Sequence, residues 1–111
     1  MDQRAIDALV AAGLNNRLQV FGALYYWDEG TCALGVILEA VAKEEGLPKE
    51  RPWSGRCPWV SHSAPEVSCP QCGECYTEER LILHCNDAHR WDFLTMARKL
   101  EHLVTPPSES P

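Results

Sequence analysis

Cys57-Pro58-Trp59 and Cys69-Pro70-Gln71-Cys72-Gly73-Glu74-Cys75 gather four cysteines into 19 of the chain's 111 residues. The surrounding stretch, residues 47–76, carries five of the eight prolines, two glycines and two tryptophans, and shows neither helical nor strand periodicity. A connection of that length without structure of its own needs a crosslink inside a compact domain. Clustered thiols supply one. The Cys69-x2-Cys72-Gly73 spacing lets two thiolates grip one ion while backbone N–H groups of a tight turn point at the sulfurs. Cys57 and Cys75 complete a candidate all-thiolate set, Cys57/Cys69/Cys72/Cys75, for a zinc ion. Three of these ligands fall within seven residues, which is crowded for one tetrahedron, so His62, His84 and Cys85 are alternates to Cys75. The same crowding suits an iron–sulfur cluster, with Cys57 or Cys85 as its fourth ligand, and that alternative stays open. Six cysteines is also an even number, compatible with disulfides in an oxidising setting.

Outward from this segment the chain reads as helical flanks. Asp2 caps a first helix over about 3–12, with Ile6, Leu9 and Val10 on one face and Gly13 as its stop. Asn15 or Asn16 opens a second helix to about Tyr26, burying Leu18, Phe21, Leu24 and Tyr25, with Gly22 allowing a close neighbour; a strand over Val20–Trp27 is the alternative. Thr31 caps a third, central helix, Cys32–Glu45, ended by Gly46 and Pro48, and Cys32 reads as a buried free thiol. Thr77-Glu78-Glu79 opens a short helix or strand over Arg80–Cys85, and Asn86-Asp87-Ala88 interrupts it. Asp92 caps a last helix, Phe93–Leu103. The expectation is a mainly α, single-domain protein over 1–104, with an irregular zinc-knuckle loop (53–85) between helix 3 and the C-terminal helices. A flexible Pro/Ser tail, 105–111, follows.

Net charge −6 sets the surface against phosphate backbones. Nucleic-acid binding would have to rely on Trp53, Trp59, Arg51 and Arg56 in the loop. The start lacks a leader pattern, and no apolar run reaches the ~18 residues of a membrane span, so a cytoplasmic protein is expected. A nucleophilic Cys85 with His84 or His89 as base and Asp87 as orienter would demand triad geometry from sequence neighbours. A turn capped by Asn86 and Asp87, with His89 giving a structural hydrogen bond, is the simpler reading. HExxH, P-loop, GxGxxG and H-x-E signatures are absent.

Two segments carry a resemblance. Gly30-Thr31-Cys32-Ala33-Leu34-Gly35-Val36-Ile37-Leu38 resembles the C-x-L-G-V-L core helix of small bacterial and phage proteins of unassigned activity. Cys85-Asn86-Asp87-Ala88-His89-Arg90-Trp91-Asp92 with Met96-Ala97 resembles their L-N-D-x-H-x-W…I-A ending, and some of them carry a C-P-x-C-G segment. Here cysteine replaces leucine at 85, Asp92 the Ser/Thr cap and Met96 the isoleucine. The resemblance implies a compact helical domain, a bacterial or phage source, and a turn that depends on Asn86 and Asp87. It carries over no catalytic residue. The expected function is therefore that of a non-enzymatic, zinc-stabilised accessory protein that binds another protein. A nucleic-acid-binding zinc module and an iron–sulfur or redox protein are the alternatives.

Overall fold

The computed structural model describes residues 1–21, 30–46, 57–63 and 65–104. Expectations for Gly22, Leu24, Tyr25, Tyr26, Trp27, Pro48, Arg51, Trp53, Arg56 and the tail 105–111 lie outside the described residues. The fold is mainly α: α1 (Gln3–Leu14), α2 (Ala33–Glu45), α3 (Glu78–Asp87) and α4 (Phe93–Leu100), with a 3-10 turn at Glu101–Leu103. Among the described residues one small sheet pairs β1 (Val67–Ser68) antiparallel to β2 (Cys75–Tyr76), with Val67 opposite Tyr76 and Ser68 opposite Cys75. Among the described residues no helix is long and apolar enough to cross a membrane.

Local chemistry sets the helix ends. Asp2, Thr77 and Asp92 each accept a hydrogen bond from a backbone N–H in the first turn of their helix. Gly46 ends α2 in the left-handed region that glycine enters without strain. Cys32, not Thr31, caps α2: its Sγ accepts from Gly35 N at 3.4 Å. Thr31 is instead fully buried in a bridge, and its Oγ1 donates to the Cys32 carbonyl. Nor does Gly13 stop α1. The helix runs on to Leu14, and Asn16 takes the left-handed turn at φ 55° while Arg17 N donates to Ala12 O and Asn16 N to Gly13 O. That is a 6→1 and 5→2 pair, a Schellman closure with asparagine at the left-handed position. Gly13 has another task. A Cβ there would stand 2.4 Å from Leu94 Cγ, so its bare backbone lets α1 lie close against α4.

The second helix expected from Asn15 is absent over 15–21. Its start is spent on closing α1, and the chain then runs extended. Gln19 forms a parallel bridge with Thr31, through Val20 N to Thr31 O at 3.1 Å and Thr31 N to Leu18 O at 3.0 Å. Leu18 and Leu14 consequently face solvent.

α1 packs on α4 and α2, and α3 closes the remaining side. Leu9, Ile37, Val41, Leu81, Ile82, Met96 and Leu100 are fully buried between them. Each such side chain contributes roughly 1.5–3 kcal/mol by leaving water. Two polar residues knit this core. The Glu78 carboxylate accepts from the Met1 amine at 3.0 Å and from Ser61 N at 2.7 Å, and the amine also donates to Leu103 O. Asn86 is fully buried: Oδ1 accepts from Gln19 Nε2 (2.8 Å) and Ala33 N (3.0 Å), and Nδ2 donates to Val20 O (3.0 Å) and Asp87 Oδ1 (2.8 Å). Asn86 thus uses its whole hydrogen-bonding capacity. Its partners come from the 19–20 segment, the start of α2 and its own helix, so it fastens distant chain and does not merely cap a local turn.

Candidate metal centre

α3 presents opposite faces to different tasks. Leu81, Ile82, Cys85 and Asn86 point into the core. His84 turns towards the β1–β2 hairpin, whose tip carries Cys69 and Cys72. The hairpin is built for sulfur. Gly73 adopts φ 81°, Gly73 N donates to Cys69 O at 2.8 Å, and Cys69 N donates to Glu74 O at 2.8 Å. This small cage turns Gln71 N towards Cys69 Sγ at 3.4 Å.

Four donor atoms meet here. Cys69 Sγ, Cys72 Sγ and one ring nitrogen each from His84 and His89 all lie within 4.8 Å of one another and can hold a metal ion. His89 Nε2 is 3.4 Å from Cys69 Sγ, and His84 Nε2 is 3.5 Å from Cys72 Sγ. A tetrahedral ion with bonds of about 2.3 Å to sulfur and about 2.0–2.1 Å to nitrogen separates neighbouring S and N by about 3.6 Å. The observed spacings fit that figure within about 0.2 Å.

The imidazoles are braced from both sides. Tyr76 stacks on His84 with ring centroids 4.6 Å apart, the two histidine rings meet edge to face at 4.5 Å, and Trp91 stacks on His89 at 5.6 Å. Trp91 Nε1 also donates to Gln71 Oε1 at 2.9 Å, tying the brace back to the hairpin turn. Such outer contacts fix ring orientation around an ion. Burial pushes the Cys69 thiol up, but hydrogen bonds from the N–H groups of Cys72 and Gln71 and from the Cys72 and Cys85 thiols together leave Cys69 below its ordinary value. That favours the thiolate, the form a metal requires.

Of the residues singled out in the sequence, the structure brings together Cys69, Cys72 and the alternate His84, and it adds His89. Cys57 is not in this group. It is buried at the start of the 57–61 turn, where burial raises its thiol to about 11 against the opposing N–H groups of Trp59 and Val60. Cys75 lies exposed on β2, its Sγ 3.7 Å from Ser68 Oγ. His62 is exposed in the loop after that turn. Cys85 is fully buried behind Cys69, and burial, followed by the nearby Cys69 and Cys72 charges, pushes its thiol up to about 12. Its depth and its neutral thiol do not suit a nucleophile. Among the described residues no other group of three or more such side chains converges.

Sequence reasoning gave His89 a structural hydrogen bond or, in the triad reading, the part of a base, and did not count it as a ligand. The signal that finds it is the order Cys69-x2-Cys72-x11-His84-x4-His89, a C-x2-C…H-x4-H run in which a short connection separates paired thiolates from paired imidazoles. His89 lies just beyond the end of α3, after the Ala88 cap, so helix periodicity does not point to it. Comparison with protein-family models, with curated proteins and with solved structures gives no match to this chain.

Proposed function

We propose that Cys69, Cys72, His84 and His89 bind one zinc ion and that the protein is a non-enzymatic accessory factor acting through contact with another protein in the cytoplasm. The carrying observation is the pair of S–N separations, 3.4 and 3.5 Å, in a set of two thiolates and two imidazoles. That donor set suits zinc, and it fills all four positions of a tetrahedron, so no site remains for a substrate or an activated water. The ion's part is then structural, holding a hairpin of two-residue strands that is too short to stand alone. The sequence likeness to small bacterial and phage proteins is the ground for inferring such a source.

A second reading, a nucleic-acid-binding zinc module, is favoured by the order hairpin then helix. A ββα finger also places two cysteines before and two histidines on or after a helix that enters the major groove. The surroundings of α3 speak against it. Its first turn carries Glu78 and Glu79, Glu78 is buried against the Met1 amine and Ser61, and Glu79 N is bonded to Ser61 O at 2.9 Å. The end of the helix that would read bases is thus acidic and docked within the domain.

Elemental analysis of purified protein tests the metal: one zinc per chain is expected, whereas iron with visible absorbance would replace the zinc reading with the iron–sulfur one. Anisotropy titration against DNA and RNA at two salt concentrations tests the partner class. Salt-dependent micromolar binding would overturn the protein-partner reading.

A further inference from the structure

We propose that Cys72 and Cys69 form a hydroperoxide-sensitive modification site, whose oxidation to a disulfide expels the bound ion. This inference rests on the zinc reading above and assigns that centre a regulatory chemistry.

The two thiolates differ in access. Cys72 is exposed at the tip of the hairpin, whereas Cys69 is buried at 2% exposure. Their sulfurs lie within 4.8 Å of each other on one tight turn, and a disulfide would draw them to about 2.0 Å. The centre therefore offers an oxidant one reachable sulfur with a second, protected sulfur beside it. An accessible thiol next to a resolving cysteine is the arrangement found in redox-sensing sites. The other cysteines are less well placed. Cys85 is fully buried and Cys75 faces Ser68 from β2.

The step balances as follows. The Cys72 thiolate attacks hydrogen peroxide, the O–O bond breaks, and a sulfenic acid forms as hydroxide leaves. The Cys69 thiolate then attacks the Cys72 sulfur, the S–S bond forms, the S–O bond breaks, and a second hydroxide leaves. Two electrons pass from the two thiolates to the peroxide, and two protons from solvent convert the hydroxides to water. The ion loses two of its four ligands, and two imidazoles alone do not hold it.

Zinc-loaded full-length chain is treated with increasing hydrogen peroxide in the presence of a zinc-responsive dye, and disulfides are mapped by mass spectrometry after alkylation. The expected result is one zinc released per disulfide formed, the bond joining residues 69 and 72. Dithiothreitol with added zinc should restore the starting state. Cys75→Ser and Cys85→Ser should release zinc at rates within about twofold of the unaltered chain. Retention of zinc by a chain that had taken up one equivalent would refute the switch and leave the zinc reading standing. A disulfide through Cys75 or Cys85, or release slowed more than fivefold by Cys75→Ser, would also refute it. A chain that takes up no zinc before peroxide is added refutes both.

Discussion

Replacing Asn86 with alanine should cost about 3–5 kcal/mol, a large figure for one polar side chain. Four hydrogen bonds vanish, but they are not equivalent. Gln19 Nε2 keeps a bond to Trp91 O at 2.8 Å, and Asp87 is exposed, so both of these partners are satisfied after the change. Ala33 N and Val20 O lose theirs. Ala33 is completely buried, so its N–H, facing an apolar methyl, incurs the penalty of an orphaned donor, about 1–3 kcal/mol. Val20 is half-buried, and losing a neutral bond there adds about 1 kcal/mol. The cavity left by the amide adds a further ~1 kcal/mol. Against a total stability of roughly 5–15 kcal/mol, this should move the urea midpoint by more than 1 M with an unchanged slope. Zinc content should stay at one per chain, since Asn86 faces away from the metal donors. Asn86→Asp should be worse at neutral pH, because its carboxylate would meet the Asp87 carboxylate and lose both donated bonds. A loss under about 1 kcal/mol for Asn86→Ala would refute the view that this residue fastens the 19–20 segment and α2 to α3.

The metal ligands can be told apart by competition with a zinc chelator: Cys72→Ser and His89→Ala should weaken affinity at least ~100-fold, while Cys57→Ser and Cys75→Ser leave it within ~3-fold. Urea unfolding of the zinc-loaded protein should show Cys72→Ser costing several times what Cys32→Ser costs. Gly13→Ala should destabilise by about 1–2 kcal/mol in the same assay, because the Leu94 clash outweighs a helix-propensity gain of about 1 kcal/mol. The Asp92 carboxyl lies below its usual value of 3.8 because it accepts from Thr95, and Asp2 does so because of Arg4. A depressed carboxyl contributes fully above its unfolded value and loses that contribution as pH falls through the folded one. Acid titration of Asp92→Ala should accordingly show a shallower loss of stability below pH 4 than the unaltered chain.

What could be read from the sequence follows the range of the interactions involved. The caps Asp2, Thr77 and Asp92 and the stop at Gly46 were legible because each acts within one helical turn. The segment after Leu14 was not. Its residues suit a helix locally, but Asn16 closes the preceding one and Gln19 pairs with Thr31, twelve residues on. Long-range pairing overrides propensity, and no local pattern announces it. The metal centre divides along the same line. Cys69 and Cys72 declare themselves through their spacing, yet spacing does not say which neighbouring thiols turn inward. On a strand of two residues, side-chain direction alternates, and Cys75 ends exposed opposite Ser68. α3 then explains why core and metal centre are coupled. Leu81, Ile82, Cys85 and Asn86 commit one face of this ten-residue helix to the interior, which leaves His84 directed at the hairpin. Apolar burial of α3 thereby positions His84, and ring contacts with His84 and Trp91 brace His89 beyond the helix end, whereas the thiolates ride on a hairpin of two-residue strands. On the proposed zinc site, metal binding would fasten the hairpin onto a ready-made helix face. Removal of the ion should accelerate hydrogen exchange around 67–76 far more than in α1 or α4, and equal acceleration throughout would show that the helical core, too, depends on the ion.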